Sequence, residues 1–153
     1  MRTEILTYGI VQGVGFRPFI YRTAKKAGLK GSVQNMGNGV LIVLEGKKEQ
    51  IDSFLLSLKN ELPPLARVDG LEISHKKETK LKDFRILKSK KTGISGSTLP
   101  PDVCICDKCM REASDKHDRR YGYPFTVCVD CGPRFTIIKS IPYDRENTSM
   151  NQF

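Results

Sequence analysis

The sequence predicts an α+β fold, a ferredoxin-like sandwich of the split βαβ type, followed by a small zinc-finger segment. Three observations predict it: alternating apolar residues mark short strands, two stretches carry apolar residues at helical spacing, and four cysteines stand in two C-x2-C pairs. The 153 residues, 39% of them hydrophobic, suffice for one full domain and a smaller appendage. We expect residues 1–90 to form the sandwich, residues 91–101 a linker rich in Ser, Gly and Pro, and residues 102–153 the cysteine segment.

The first ninety residues show the order β-α-β-β-α-β with a short extra strand, which is the split βαβ plan. Pro18 suits the first turn of the first helix, and Gly28 suits the position just after its end. We expect an antiparallel sheet with both helices on one face. The predicted strands are 4–10, 29–35, 39–45, 68–74 and 84–87, and the predicted helices are 17–27 and 47–60.

The formal net charge of +9 lies entirely in the first part of the chain. Through Lys91 there are 18 basic and 9 acidic residues, whereas the remainder carries 8 of each. A basic domain favours an anionic partner, either nucleic acid or a phosphorylated small molecule. The predicted strands offer few aromatic side chains for stacking on bases, Tyr8 and Phe84, so nucleic acid is the weaker alternative.

The chain has no apolar run of the roughly 18–20 residues that a membrane span needs, and this excludes an integral membrane protein. The first residues alternate between polar and apolar types and lack the apolar core of a signal peptide. We therefore expect a cytoplasmic protein.

A glycine-containing loop separates the first strand from the first helix. Two glycines let successive backbone N–H groups point inward, and a helix N-terminus beside them makes a cradle for an oxyanion or phosphate. Arg17 at the helix start can clamp phosphate oxygens with a permanent charge. The alternative is a tight turn with a solvated arginine, since the Lys-Ser/Thr of a P-loop is missing. The loop consists of Val11, Gln12, Gly13, Val14, Gly15 and Phe16.

The cysteines form the pattern C-x2-C-x18-C-x2-C, whose ligand positions are Cys106, Cys109, Cys128 and Cys131. Two C-x2-C pairs at this separation are typical of one tetrahedral zinc ion. Four thiolates leave no open coordination position, so we expect the zinc to be structural. Disulfides fit poorly with a cytosolic chain, and a redox dithiol is the other alternative. Cys104 is expected to be a free thiol. From Arg119 to Thr126, two arginines are followed by aromatic residues at alternate positions. Such a stretch can bind single-stranded nucleic acid by stacking and phosphate contacts. The alternative, favoured by the balanced charge of this segment, is that the aromatic side chains cover the zinc site and dock it on a neighbouring domain.

The sequence V-Q-G-V-G-F-R before a helix, followed by Ser32-Val33-Gln34-Asn35 and a glycine turn, resembles the acylphosphatase signature across residues 1–90. The resemblance implies that the loop amides and Arg17 bind a phosphoryl group and that Asn35 positions the attacking water. On sequence pattern alone, Asn35 fits better as a strand-end residue that starts the following turn, and only the resemblance favours the role in catalysis. Hydrolysis of an acyl phosphate needs no strong general acid, because its leaving group is a carboxylate.

The cysteine segment, with R-R-Y-x-Y-P-F-T and C-G-P-R-F-T-I-I, resembles the HypF carbamoyltransferase family of nickel-iron hydrogenase maturation. The resemblance implies that the first domain hydrolyses carbamoyl phosphate to carbamate, which begins carbamoyl transfer to HypE for cyanide-ligand synthesis. ATP is then used only by domains outside this chain. A second cysteine unit of that family is also missing, so we expect an N-terminal fragment. The alternatives are a nucleic-acid-binding zinc protein and a non-catalytic interaction module of a longer enzyme.

Overall fold

The computed structural model of the chain describes residues 1–37, 39–90, 104–128, 131, 137–140, 144–149 and 151. The predicted linker, residues 91–101, lies outside the described residues, as do residues 132–136 within the sequence C-G-P-R-F-T-I-I. The proposed domain bounds 1–90, 91–101 and 102–153 therefore stay a prediction.

The elements follow the predicted order, and the ferredoxin-like α+β fold is confirmed. Within the sandwich they are β1 (Arg2–Ile10), α1 (Phe16–Lys26), β2 (Lys30–Met36), β3 (Gly39–Glu45), α2 (Lys48–Asn60), β4 (Arg67–Lys76) and β5 (Phe84–Ile86). In the cysteine segment the structure describes one α-helix, α3 (Asp107–Ser114). None of the helices in the described ranges is both long and apolar enough to cross a bilayer.

The five strands form one sheet in the order β4-β1-β3-β2-β5. Three of the four pairings are as expected: β1 and β2 both run antiparallel to β3, and β4 runs antiparallel to β1. However, β5 pairs with β2 in parallel, so the expectation of a purely antiparallel sheet is wrong. The physical reason is the connection between β4 and β5, which crosses one end of the sheet from edge to edge and then turns back alongside β2.

This topology brings the carboxyl ends of β1, β2 and β5 to the same end of the sheet. The glycine loop follows β1 there, and Asn35 lies next to the last residue of β2. The chain after β5 continues beside β2, because the N–H of Leu87 donates to the carbonyl of Val33 at 2.9 Å and the N–H of Lys90 donates to the carbonyl of Asn35 at 2.9 Å.

The core lies between the sheet and the two helices. Ile5, Val33 and Ile42 on neighbouring strands are fully buried against Ile20 of α1 and Phe54 of α2. Edge strand β4 extends beyond this cover, and its Leu71 and Ile73 keep about half of their surface exposed (46% and 47%). Burial of the central strands gives the site end of the sheet a rigid base.

The connection from β4 to β5 is anchored by one carboxylate at the end of β3. Glu45 accepts hydrogen bonds from the backbone N–H groups of Thr79 at 2.9 Å and Leu81 at 3.1 Å, and from the Thr79 hydroxyl at 3.2 Å. The Thr79 backbone bond is the largest of several that hold the pKa of Glu45 below its ordinary value.

Replacing Glu45 by Gln should therefore lower the stability of the fold at neutral pH. A carboxylate with a lowered pKa stabilises the folded state above its unfolded-state value, here 4.5, and this contribution disappears as the pH falls through the lower folded value. Urea unfolding of Glu45→Gln and of the original chain should give different midpoints at pH 7 that converge well below pH 4.5. Glu49→Gln, an exposed change on α2, is the control. A gap that stayed constant with pH would contradict this role for Glu45.

Candidate active site and metal centre

The loop after β1 directs its backbone, rather than its side chains, toward the end of the sheet. Gly13 and Gly15 both have φ of 74°, the left-handed conformation that favours glycine. Val11, Val14 and Phe16 are at most 1% exposed and belong to the core. The backbone N–H groups from Gly13 to Phe16 find no acceptor among the residues that the structure describes. The loop thus has the form of an anion cradle at the start of α1.

Gln12 holds this loop to the β2–β3 hairpin. Its Nε2 donates to the carbonyl of Met36 at 2.8 Å and to the carbonyl of Gly39 at 3.0 Å, and the residue is 4% exposed. Met36 directly follows Asn35 in the chain. The Gln12 side chain therefore fixes the distance between the cradle and the end of β2.

Arg17 lies in the first turn of α1, with its guanidinium half-buried at the same end of the sheet. Its Nη1 is 3.4 Å from the hydroxyl of Ser89, and its Nη2 donates to Oδ1 of Asp144 at 3.0 Å. The guanidinium thus lies where three parts of the chain meet: α1, the stretch after β5 and the C-terminal part of the cysteine segment.

Asn35 lies inside β2, opposite Val40 in the register, and is only 1% exposed. Neither Oδ1 nor Nδ2 of its side chain has a hydrogen-bond partner in the described structure. The side chain therefore does not cap the following turn, which was the alternative role. A buried polar group without a partner costs about 1–3 kcal/mol, so this amide is a candidate for hydrogen bonds to a ligand or a water molecule.

Two consecutive residues link Arg17 to Asn35. Ser89 contacts the Arg17 guanidinium, and the N–H of Lys90 donates to the carbonyl of Asn35. The structure therefore brings the end of β2 that carries Asn35 close to the loop and to Arg17, and the roles expected of these residues stay a prediction. Sequence analysis missed Ser89 and Asp144, since neither stands in a motif and their contacts with Arg17 span 72 and 127 residues.

The four predicted ligand cysteines lie together, with their sulfurs all within 4.8 Å of one another. The separations are 3.6 Å for Cys106 and Cys128, 3.8 Å for Cys109 and Cys131, and 3.8 Å for Cys128 and Cys131. A regular tetrahedron with metal–sulfur bonds of about 2.3 Å has sulfurs about 3.8 Å apart. The donor set and its geometry thus fit one tetrahedral metal ion, and no disulfide links the five cysteines.

The cysteine cluster divides into thiols of opposite acidity. Burial, followed by hydrogen bonds with the neighbouring sulfurs, raises the pKa of Cys109. Burial acts in the same direction on Cys131, but hydrogen bonds from the backbone of Cys106 and Cys128 outweigh it and lower the pKa of Cys131 to about 6. Cys104 is exposed and lies outside the cluster.

The described aromatic side chains of the cysteine segment are too exposed to cover the metal site as expected, and their docking on a neighbouring domain stays a prediction. Tyr121, Tyr123 and Phe125 are 42% to 57% exposed, with Tyr123 and Phe125 packed edge to face. In the sandwich, Phe84 is buried against Tyr21 and cannot stack on a base.

Comparison with known proteins identifies the class of protein to which this fold belongs. Residues 3–86 match the Acylphosphatase family model. The acylphosphatase of Thermus thermophilus is 42% identical over 86 residues, which cover 56% of this chain and 97% of that protein. The crystal structure of acylphosphatase from Bacillus subtilis superposes with a TM-score of 0.53 at 32% identity, over 56% of this chain and 97% of the other. The chain belongs to the acylphosphatase family, and it is an enzyme of the acylphosphatase type.

A more particular similarity extends over the cysteine segment as well. Residues 105–138 match the HypF finger model. A probable carbamoyltransferase HypF of Methanocaldococcus jannaschii is 56% identical over 149 residues, 96% of this chain and 20% of that protein. The crystal structure of full-length HypF in a phosphate- and nucleotide-bound form superposes with a TM-score of 0.94 at 44% identity, over 99% of this chain and 20% of the other. The chain is thus homologous to the N-terminal region of HypF and spans about a fifth of the length of these relatives.

The sulfur geometry predicts that the chain binds one divalent metal ion per molecule. Titration with Co²⁺ should give the absorption spectrum of a tetrahedral four-sulfur site that saturates at one equivalent. Cys109→Ser should lose this spectrum, because it removes a buried ligand of the cluster.

Cys104→Ser is the matched control, since it removes the exposed thiol that lies two residues before the first ligand. It should leave both the spectrum and the stoichiometry unchanged. If Cys104→Ser lost the four-sulfur spectrum while Cys109→Ser kept it, the ligand set given by the geometry would be wrong.

Proposed function

We propose that this chain hydrolyses an acyl phosphate, with carbamoyl phosphate as the substrate, at the site formed by the glycine loop, Arg17 and Asn35. The observation that carries the proposal is the buried Asn35 amide. It has no hydrogen-bond partner among the residues that the structure describes, and it lies beside the strand that leads to Ser89, a contact of Arg17. Membership in the acylphosphatase family supports the same chemistry.

In the proposed mechanism the N–H groups from Gly13 to Phe16 and the Arg17 guanidinium bind the phosphoryl oxygens. They stabilise the negative charge that these oxygens carry in the transition state. The Asn35 amide holds a water molecule in line with the bond to the acyl oxygen. Water attacks phosphorus, the phosphorus–acyl oxygen bond breaks, and the products are carbamate and dihydrogen phosphate, which together carry the two negative charges of the substrate.

The cysteine cluster has a structural role in this proposal. We infer that the metal is zinc, since four sulfur ligands at tetrahedral separations suit it and leave no position for substrate. The ion would hold the start of α3 to the strand-poor chain that follows. Similarity to HypF supports the wider assignment that the carbamate is consumed by ATP-dependent activation and transfer to HypE, in domains outside this chain and in the cytoplasm.

Substitution of the two proposed site residues should affect phosphate binding and turnover differently. Arg17→Ala should abolish phosphate binding and lower turnover of carbamoyl phosphate by at least about 10²-fold, because a charged phosphoryl ligand is lost. Asn35→Ala should lower kcat by about 10²-fold and largely spare phosphate binding, because it removes only the partner of the water. Phosphate release from carbamoyl and acetyl phosphate measures the first quantity, and phosphate titration measures the second.

The matched controls are Arg22→Ala, an exposed arginine on the same helix, and Lys30→Ala, an exposed residue at the start of β2. Both should retain near-normal turnover. Equal loss of binding and turnover in Asn35→Ala would overturn the water-positioning role. Absence of turnover in the original chain on either substrate would favour a non-catalytic module of a longer enzyme.

The proposed mechanism uses no side chain that must gain or lose a proton near neutrality. Turnover of carbamoyl phosphate should therefore change little between pH 6 and pH 8, after correction for spontaneous decomposition of the substrate. A bell-shaped kcat profile in this range would indicate a general base that the proposed site does not contain.

A further inference from the structure

The Arg17 guanidinium is held by a carboxylate from the far end of the chain. Nη2 of Arg17 lies 3.0 Å from Oδ1 of Asp144, a separation of 127 residues. The two side chains are 21% and 26% exposed, so the pair is partly shielded from water. The proposed phosphoryl-binding cation therefore already has an anionic partner within the protein.

A hydrogen-bonded turn fixes the backbone position of Asp144. The carbonyl of Asp144 accepts a hydrogen bond of 2.8 Å from the N–H of Asn147, across the short 3₁₀ turn Arg145–Asn147. Thr148, which is 2% exposed, forms a β-bridge with Ile138, and the N–H of Lys139 donates to the carbonyl of Asn147 at 2.9 Å. This small structure begins a few residues after Cys131, so the cysteine segment presents the carboxylate to the sandwich.

A carboxylate and a phosphoryl group bind to the same part of a guanidinium, its positively charged N–H donors. A phosphoryl dianion at Arg17 would stand next to the Asp144 carboxylate, and the repulsion between like charges opposes keeping both. Arg17 is also held by its place on α1 and by its contact with Ser89. Its position in the site thus does not depend on Asp144.

We propose that Asp144 is an internal competitor for the phosphoryl site, a carboxylate from the cysteine segment that occupies Arg17 until an acyl phosphate replaces it. This inference rests on the proposed role of Arg17 in binding phosphate. It makes the affinity of the hydrolytic site depend on a residue outside the acylphosphatase-type domain. A partly exposed ion pair contributes modestly to stability, so the substrate can displace it at a small cost in affinity.

The test is the binding of inorganic phosphate to the 153-residue chain, measured by isothermal titration calorimetry. Asp144→Asn keeps the shape of the side chain and removes its charge, and it should bind phosphate about two- to fivefold more tightly than the original chain. Glu146→Gln is the matched control, because it removes the same charge from an exposed residue two positions away. It should not reproduce this change. Unchanged or weaker binding in Asp144→Asn, or an equal gain in Glu146→Gln, would overturn the proposal.

Steady-state kinetics separates competition from a role in positioning Arg17. Competition predicts a lower KM for carbamoyl phosphate in Asp144→Asn with unchanged kcat, since the competing carboxylate opposes binding of the ground state and of the transition state equally. A lower kcat would assign Asp144 a positioning role and contradict the proposal. Arg17→Ala, measured in parallel, keeps the two hypotheses apart. If it binds phosphate as well as the original chain, the proposed function itself fails. If it loses binding and Asp144→Asn is unchanged, only the competition is wrong.

Discussion

The candidate site depends on one constraint of chain direction. Because β1 and β2 are both antiparallel to β3, which lies between them, they run parallel to each other. The parallel pairing of β5 with β2 adds a third strand with the same direction. Three carboxyl ends therefore meet at one end of the sheet, and each supplies a different group: backbone amides, an amide side chain and a hydroxyl. Residues far apart in the sequence converge without a long loop.

Three nearly buried polar side chains differ in how their hydrogen-bonding groups are used. Glu45 and Gln12, both nearly buried, use their side chains to hold backbone at the two ends of the sheet. Asn35 is as deeply buried and makes no such side-chain bond. Structures retain a buried group of this kind where something other than the fold accounts for it. The contrast among these three residues is what separates the proposed site from an ordinary strand-to-helix turn.

Sequence reasoning succeeded where the determinants are local. Helical spacing and alternation predicted both helices and all five strands, and the two C-x2-C pairs predicted a cluster that the structure assembles. It failed where pairing is set at long range. The direction of β5 depends on where the chain crosses the sheet, which no short pattern encodes. The contacts of Arg17 with Ser89 and Asp144 depend on how separate segments meet in space. The sequence assigned Gln12 to the loop, but the hydrogen bonds of its side chain to the β2–β3 hairpin result from packing and could not be predicted.

The ion pair between Arg17 and Asp144 also has a consequence for the order of biosynthesis. Chains are made from the amino terminus at roughly 5–20 residues per second, and domains fold in that order. The groups proposed to bind phosphate lie before residue 91, whereas the carboxylate that occupies Arg17 is added much later. A growing chain would therefore hold the cradle and its arginine for several seconds without the internal anion. The finished protein would acquire its lower affinity only after the cysteine segment has been made.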